Sequence, residues 1–259
     1  MADALTHIRE KLKRADEHVQ QLEREATAFE HETPNREIID YDAQSEKAFK
    51  DFHAKRIVPP RLSVLTGDAL HQLRSSLDHL VCALILRDGG TLTDRSQFPI
   101  FRFQPVKPED LRRYQRQIEG IKRPAVLAAL DGLQPYTRGN RRDAHWLAIL
   151  KKLSNTDKHR SLVLHVSAVQ PRISYSTFWP DEGFEGSTDA IDDGTPVTPG
   201  LHIVFRERLE VMDVKRRLTS FVAFDKWPDA PYDLRIGYGM SGLLRGVTQV
   251  VDEFAPFLT

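Results

Sequence analysis

Two short stretches concentrate side chains able to move a proton or hold an anion. The first is Gly67-Asp68-Ala69-Leu70-His71-Gln72-Leu73-Arg74-Ser75-Ser76-Leu77-Asp78-His79-Leu80, with two His, two Asp and one Arg between Asp68 and His79. At helical spacing Arg74 and Asp78 are four apart and share a face, with His71 on the same side. Asp68, Ser75 and His79 fall on the adjacent flank. An imidazole titrates near neutral pH, and a guanidinium offers a fixed fork of donors to a phosphate. The plainer reading is an Arg74–Asp78 ion pair with histidines at the edge of a core. The second stretch is Asn155-Thr156-Asp157-Lys158-His159-Arg160. Adjacent Lys, His and Arg favour an oxyanion or phosphate. Its plainer reading is a C-terminal turn whose cations complement the helix dipole.

The elements that must carry these residues follow from periodicity. Residues 61–87 predict a helix with Leu62, Leu65, Ala69, Leu73, Leu77, Leu80 and Leu84 on its apolar face, ended by Gly89-Gly90. Residues 143–154 predict another, capped by Asn155, so the second stretch is expected at a helix-to-strand junction. Residues 108–119 and 124–132 predict two short helices with Pro108 and Pro124 in their first turns. Residues 3–30 carry an a/d heptad from Leu5 through Ile8, Leu12, Ala15, Val19, Leu22 and Ala26 to Phe29. That helix either docks on its own bundle or forms a homodimer through the heptad face. Arg36–Tyr41 and Phe49–Val58 predict a hairpin, as do 162–169 with 172–179 and 201–211 with 218–227. A final amphipathic helix starts near 237. Helices and strands are segregated, which indicates an α+β fold and not a doubly wound sheet. The expected organisation is a mainly helical bundle over 1–160 with an inserted hairpin at 36–58, an antiparallel β region over 161–236, and a helix over 237–259 packing back on the bundle.

Composition narrows the classes. Thirty-seven Lys and Arg balance 37 Asp and Glu, which argues against a general polycationic coat. The balance hides segregation. Residues 102–160 hold fourteen Lys and Arg against six Asp and Glu, whereas 181–193 hold six acidic residues and no basic one. Tyr114, Tyr136 and Trp146 are interleaved with the basic stretch and are candidates to stack on bases, although Trp146 has leucine neighbours and suits a core. The acidic stretch reads as part of a mobile loop, 181–200. The single cysteine, Cys82, excludes an internal disulfide and sits on an apolar helix, as a core residue would. No apolar run is long enough for a membrane span and no signal peptide is legible, so a cytoplasmic protein is the expectation. The Gly237–Gly242 run lacks the lysine and serine of a phosphate loop and reads as a helix start. No cofactor is expected. A metal site built from His71, Asp78 and His159 would require ligands converging from different elements.

The two stretches together resemble a group of bacterial and phage proteins over most of residues 55–165. The first helix is also similar to the HEPN superfamily of helical bundles, whose signature is an Arg followed by a His after four to six residues; Arg74 and His79 have four between them, with Ser75 in the polar position beside the Arg. The resemblance implies a metal-independent endoribonuclease of toxin or phage-defence type, with RNA as its partner. His79 would be general acid or base and Arg74 would stabilise the phosphorane. Asp78 would orient either, and Lys158, His159 and Arg160 would complete the phosphate site. Five residues set Arg74 and His79 roughly 140° apart on an ideal helix, so convergence on one phosphate requires a distorted helix or a symmetric dimer. Two other readings stand beside this one: a non-catalytic interaction or scaffold protein with structural polar clusters, and a small-ligand binder using the strands.

Overall fold

The computed structural model describes residues 2–32, 37–38, 57–159, 162, 164–169, 173–179, 184–189, 210–217, 219–224 and 235–258. Among them are six α-helices: α1 (Ala2–His31), α2 (Pro60–Arg87), α3 (Pro108–Gln117), α4 (Pro124–Gly132), α5 (Trp146–His159) and α6 (Ile236–Phe254). Six strands accompany them: β1 (Glu37–Ile38), β2 (Leu164–Val169), β3 (Ile173–Trp179), β4 (Phe184–Asp189), β5 (Glu210–Arg217) and β6 (Thr219–Phe224). The fold is α+β, and the chain divides into two compact units.

The first unit comprises Met1–Arg24, Pro59–Val163 and Lys226–Thr259. Its centre is α2, which packs on both α5 and α6. All seven predicted apolar positions of α2 are buried, and Leu70, Val81 and Ile85 form a second fully buried row. A helix apolar on so wide an arc must be enclosed by neighbours. Met240, Leu243, Val247, Val250, Val251 and Phe254 of α6 and Leu147, Leu150 and Leu153 of α5 complete the core. Gly89, at φ 72, ends α2 in the left-handed conformation that favours glycine. Prolines open α2, α3 and α4 in their first turns. The Gly237–Gly242 run is the first part of α6. Among the described residues no helix is long and apolar enough to cross a membrane.

The heptad stripe of α1 is used within the chain. Ile8, Leu12, Ala15, Val19, Leu22 and Ala26 are buried in the single polypeptide, so this face is not free to form a coiled-coil dimer. Ser241 of α6 donates to Glu23 of α1 at 2.8 Å.

The second unit comprises Glu25–Val58 and Leu164–Asp225. It holds a four-stranded sheet in the order β1-β5-β3-β4 and a two-stranded pair β2-β6, all antiparallel. The Glu30 carboxylate accepts the backbone N–H of Val222 at 2.9 Å, so a side chain of α1 satisfies a donor of β6.

The strand pairings differ from the expected hairpins. β2 pairs with β6, Leu164 opposite Phe224, and not with β3. β5, which begins at the end of the expected strand 201–211, pairs with β3 and β1; residues 201–209 of that expected strand lie outside the described residues. β1 pairs with β5, Glu37 opposite Arg217, while most of its expected partner, 49–56, lies outside the described residues. Residues 184–189 of the expected loop form β4. Alternation marks a strand but not its neighbour, and short connections bias adjacency without fixing it. Most of the expected hairpin at 36–58 lies outside the described residues.

Candidate functional site

Arg74 and Asp78 form the expected ion pair across one turn of α2, with Nη2 2.7 Å from Oδ1. Both also hold the buried segment 98–101. The Phe98 N–H donates to Asp78 Oδ1 at 2.9 Å, and Arg74 Nη2 donates to the Phe98 carbonyl at 2.8 Å. Gln134, fully buried, donates to the Pro99 carbonyl and accepts the Phe101 N–H, both at 3.0 Å. Lys151 Nζ donates to the Ile100 carbonyl at 2.8 Å. Phe98, Ile100 and Phe101 are buried, so this backbone needs partners away from water, and side chains of α2, α5 and Gln134 supply them. Arg74 and Asp78 are thus committed to a structural clamp.

His79 faces elsewhere. It lines a groove of about 870 Å³ between α1 and α2, and Arg74 is not part of that lining. From α1 come His7, Glu10, Lys11 and Arg14; from α2 come Gln72, His79, Cys82 and Leu86. His7, Lys11 and Arg14 are spaced i, i+4, i+7 and form one stripe. Gln72, His79 and Leu86 do the same on α2, at intervals of seven. Burial, and then the charges of Lys11 and His7, lower the His79 pKa below the usual histidine value, while Asp78 opposes the shift. The shift favours the neutral imidazole, the form that can accept a proton. Cys82 is half-buried, and burial and then Asp78 push its thiol up, as for an unreactive sulfur.

The second stretch is the end of a helix, and Asn155 does not cap it. α5 continues through Asn155 to His159, and the Thr156 hydroxyl donates back to the Lys152 carbonyl at 2.9 Å. Lys158 and His159 occupy the last turn, exposed, where cations suit the dipole. Asn155 is exposed and Arg160 lies outside the described residues. Asp157 packs against Gly67 of α2: a Cβ on Gly67 would lie 2.6 Å from its Oδ1. Burial and then the charge of Asp68 raise the Asp157 pKa, and His71 lowers it. The two stretches therefore meet through Gly67, Asp68, His71 and Asp157. His79 lies twelve residues, roughly 18 Å, farther along α2. Within one chain Arg74, His79 and His159 do not converge on a common cleft. Among the described residues no three His, Cys, Asp or Glu are arranged to hold a metal ion, the expected His71–Asp78–His159 set included.

Sequence reasoning missed His7, Lys11 and Arg14 as groove residues. Their i, i+4, i+7 spacing was visible, but charges beside a heptad stripe read equally as solvated flanks. Of the aromatic candidates, Tyr114 packs edge-on against Phe101, and burial and then Asp131 push its hydroxyl up to about 12. The Tyr136 hydroxyl donates to Asp131. The Trp146 ring lies against Gly246 of α6, where a Cβ would approach it to 2.9 Å. None of these three stands as a free stacking platform. Comparison of the chain with family models, curated proteins and solved structures finds no match.

Proposed function

We propose that the protein acts on RNA as a metal-independent endoribonuclease whose reacting groups line the α1–α2 groove. The observation that carries this reading is the pairing of a neutral imidazole, His79, with His7, Lys11 and Arg14 across one open groove. Two imidazoles and flanking cations match what transesterification at phosphorus requires. His79 takes the proton of the ribose 2′-hydroxyl, the 2′-oxygen attacks the adjacent phosphorus, and the bond from phosphorus to the 5′-oxygen breaks. His7 gives a proton to the departing 5′-oxygen, leaving a 2′,3′-cyclic phosphate and a 5′-hydroxyl. Lys11 and Arg14 face the charge that builds on the phosphorane oxygens. Arg74 is a positioning residue, fixing Asp78 next to His79 in the chain. This keeps the HEPN-like assignment of His79 and moves its partners from Arg74 and His159 to α1. A toxin or phage-defence role is the setting that the resemblance implies.

The test is cleavage of varied RNAs by purified protein in excess chelator, beside His79→Ala, His7→Ala and His159→Ala, with folding followed by circular dichroism. Cyclic phosphate ends are expected, with losses of roughly 10²- to 10⁴-fold in the first two variants and none in the third. Cleavage surviving in both His79→Ala and His7→Ala would overturn the assignment. No cleavage of any RNA would favour a second reading, an interaction protein, which the clamp role of Arg74 and Asp78 already supports.

A further inference from the structure

We infer that Phe103 and the arginines around it form a docking surface for single-stranded RNA, separate from the groove. The inference rests on the RNA reading above but uses none of its catalytic residues. Phe103 is 61% exposed and Val106 76%, beside the buried segment that Arg74, Gln134 and Lys151 hold in place. The Arg142 guanidinium lies 4.4 Å from the Phe103 ring centroid and that of Arg102 5.8 Å. On the neighbouring Phe101 ring, Arg113 lies at 4.7 Å and the Lys151 ammonium at 5.7 Å. A ring flanked by two cations is thus repeated on Phe101 and Phe103, the first buried and the second open.

The charge at this surface is unbalanced. Arg102 pairs with Asp143 and Arg113 with Asp110. Among the described residues no carboxylate reaches Arg142; its Nη1 donates to the Gly139 carbonyl at 3.3 Å, and its Nε is buried without an acceptor. Burial, and then Arg113, Arg74 and Arg102, lower the Lys151 pKa, a sign that the cations crowd one another. An incoming polyanion relieves that crowding. An exposed ring beside Arg142, which no carboxylate among the described residues neutralises, fits a chain of phosphates carrying unstacked bases. Phosphates meet the guanidiniums and a base stacks on Phe103, without reading sequence. A duplex hides its base faces and uses only the charge.

Fluorescence anisotropy with a short, uncleavable 2′-O-methyl RNA tests this. Phe103→Ala is expected to weaken binding roughly 10- to 100-fold, and Phe103→Trp to restore it. Arg142→Gln should weaken binding and reduce the dependence of log affinity on log salt by about one phosphate contact. Wild-type affinity in both Phe103→Ala and Arg142→Gln would overturn the surface, as would duplex binding that Phe103→Ala weakens as much as it weakens single-strand binding. If binding depends on Phe103 while no RNA is cleaved, the surface stands and the nuclease reading falls. If cleavage depends on His79 while binding ignores Phe103, the surface alone falls.

Discussion

A methyl group at Gly67 would overlap the Asp157 carboxylate, since an added Cβ lies 2.6 Å from Oδ1 and 2.9 Å from Cγ. Gly→Ala in a helix ordinarily stabilises by about 1 kcal/mol. Here the gain should vanish or reverse in Gly67→Ala, and reappear when Asp157→Ala removes the carboxylate. Urea denaturation of the two single variants and the double variant measures it; identical effects of Gly67→Ala in both backgrounds would refute the contact. The sequence made some of this legible. Spacing of four residues foretold the Arg74–Asp78 pair. It did not foretell that the pair holds Phe98, because that partner is distant in sequence and no local pattern encodes it. Nor did it separate Arg74 from His79 by function, although the roughly 140° between them on an ideal helix was known from the spacing alone.

At the scale of elements, α5 starts on an unusual cap. His145 Nδ1 accepts the backbone N–H of Leu147 at 3.2 Å, and its carbonyl accepts that of Ile149 at 3.1 Å. Asn or Ser more often fills this position. The ring accepts only while that nitrogen is unprotonated, and burial, then Arg138, lower its pKa to about 4. The unfolded value is near 6.5, so the folded form resists protonation. Stability is full above about pH 6.5 and is lost as pH falls from there toward about 4. The whole shift corresponds to roughly 3 kcal/mol, and solvent screening of a half-buried ring leaves about 1–2 kcal/mol. His145→Asn keeps a cap and does not titrate, so its unfolding midpoint should be flatter over that interval than the wild type's. Equal slopes would refute the cap's role. Helix identities were legible because apolar periodicity and first-turn prolines are local signals. The end of α5 was misread because Asn155 looks like a cap, whereas the helix continues past it. Strand partners were misread because pairing is a contact between distant segments.

For the whole molecule, zero net charge conceals a basic middle, and the helical unit carries that middle. Segregated helices and strands were enough to assign the α+β class. The chain's one thiol has a further consequence. Cys82 lines the same groove as His79, and 259 residues contain no other cysteine. The protein therefore carries a single-site labelling handle that needs no engineering. With its pKa pushed up, the sulfur should alkylate slowly at neutral pH and faster as pH rises. RNA seated in the groove should slow that reaction severalfold, and RNA held only at Phe103 should leave it unchanged. Mass spectrometry of one alkylated peptide would thus report which of the two sites a bound strand occupies.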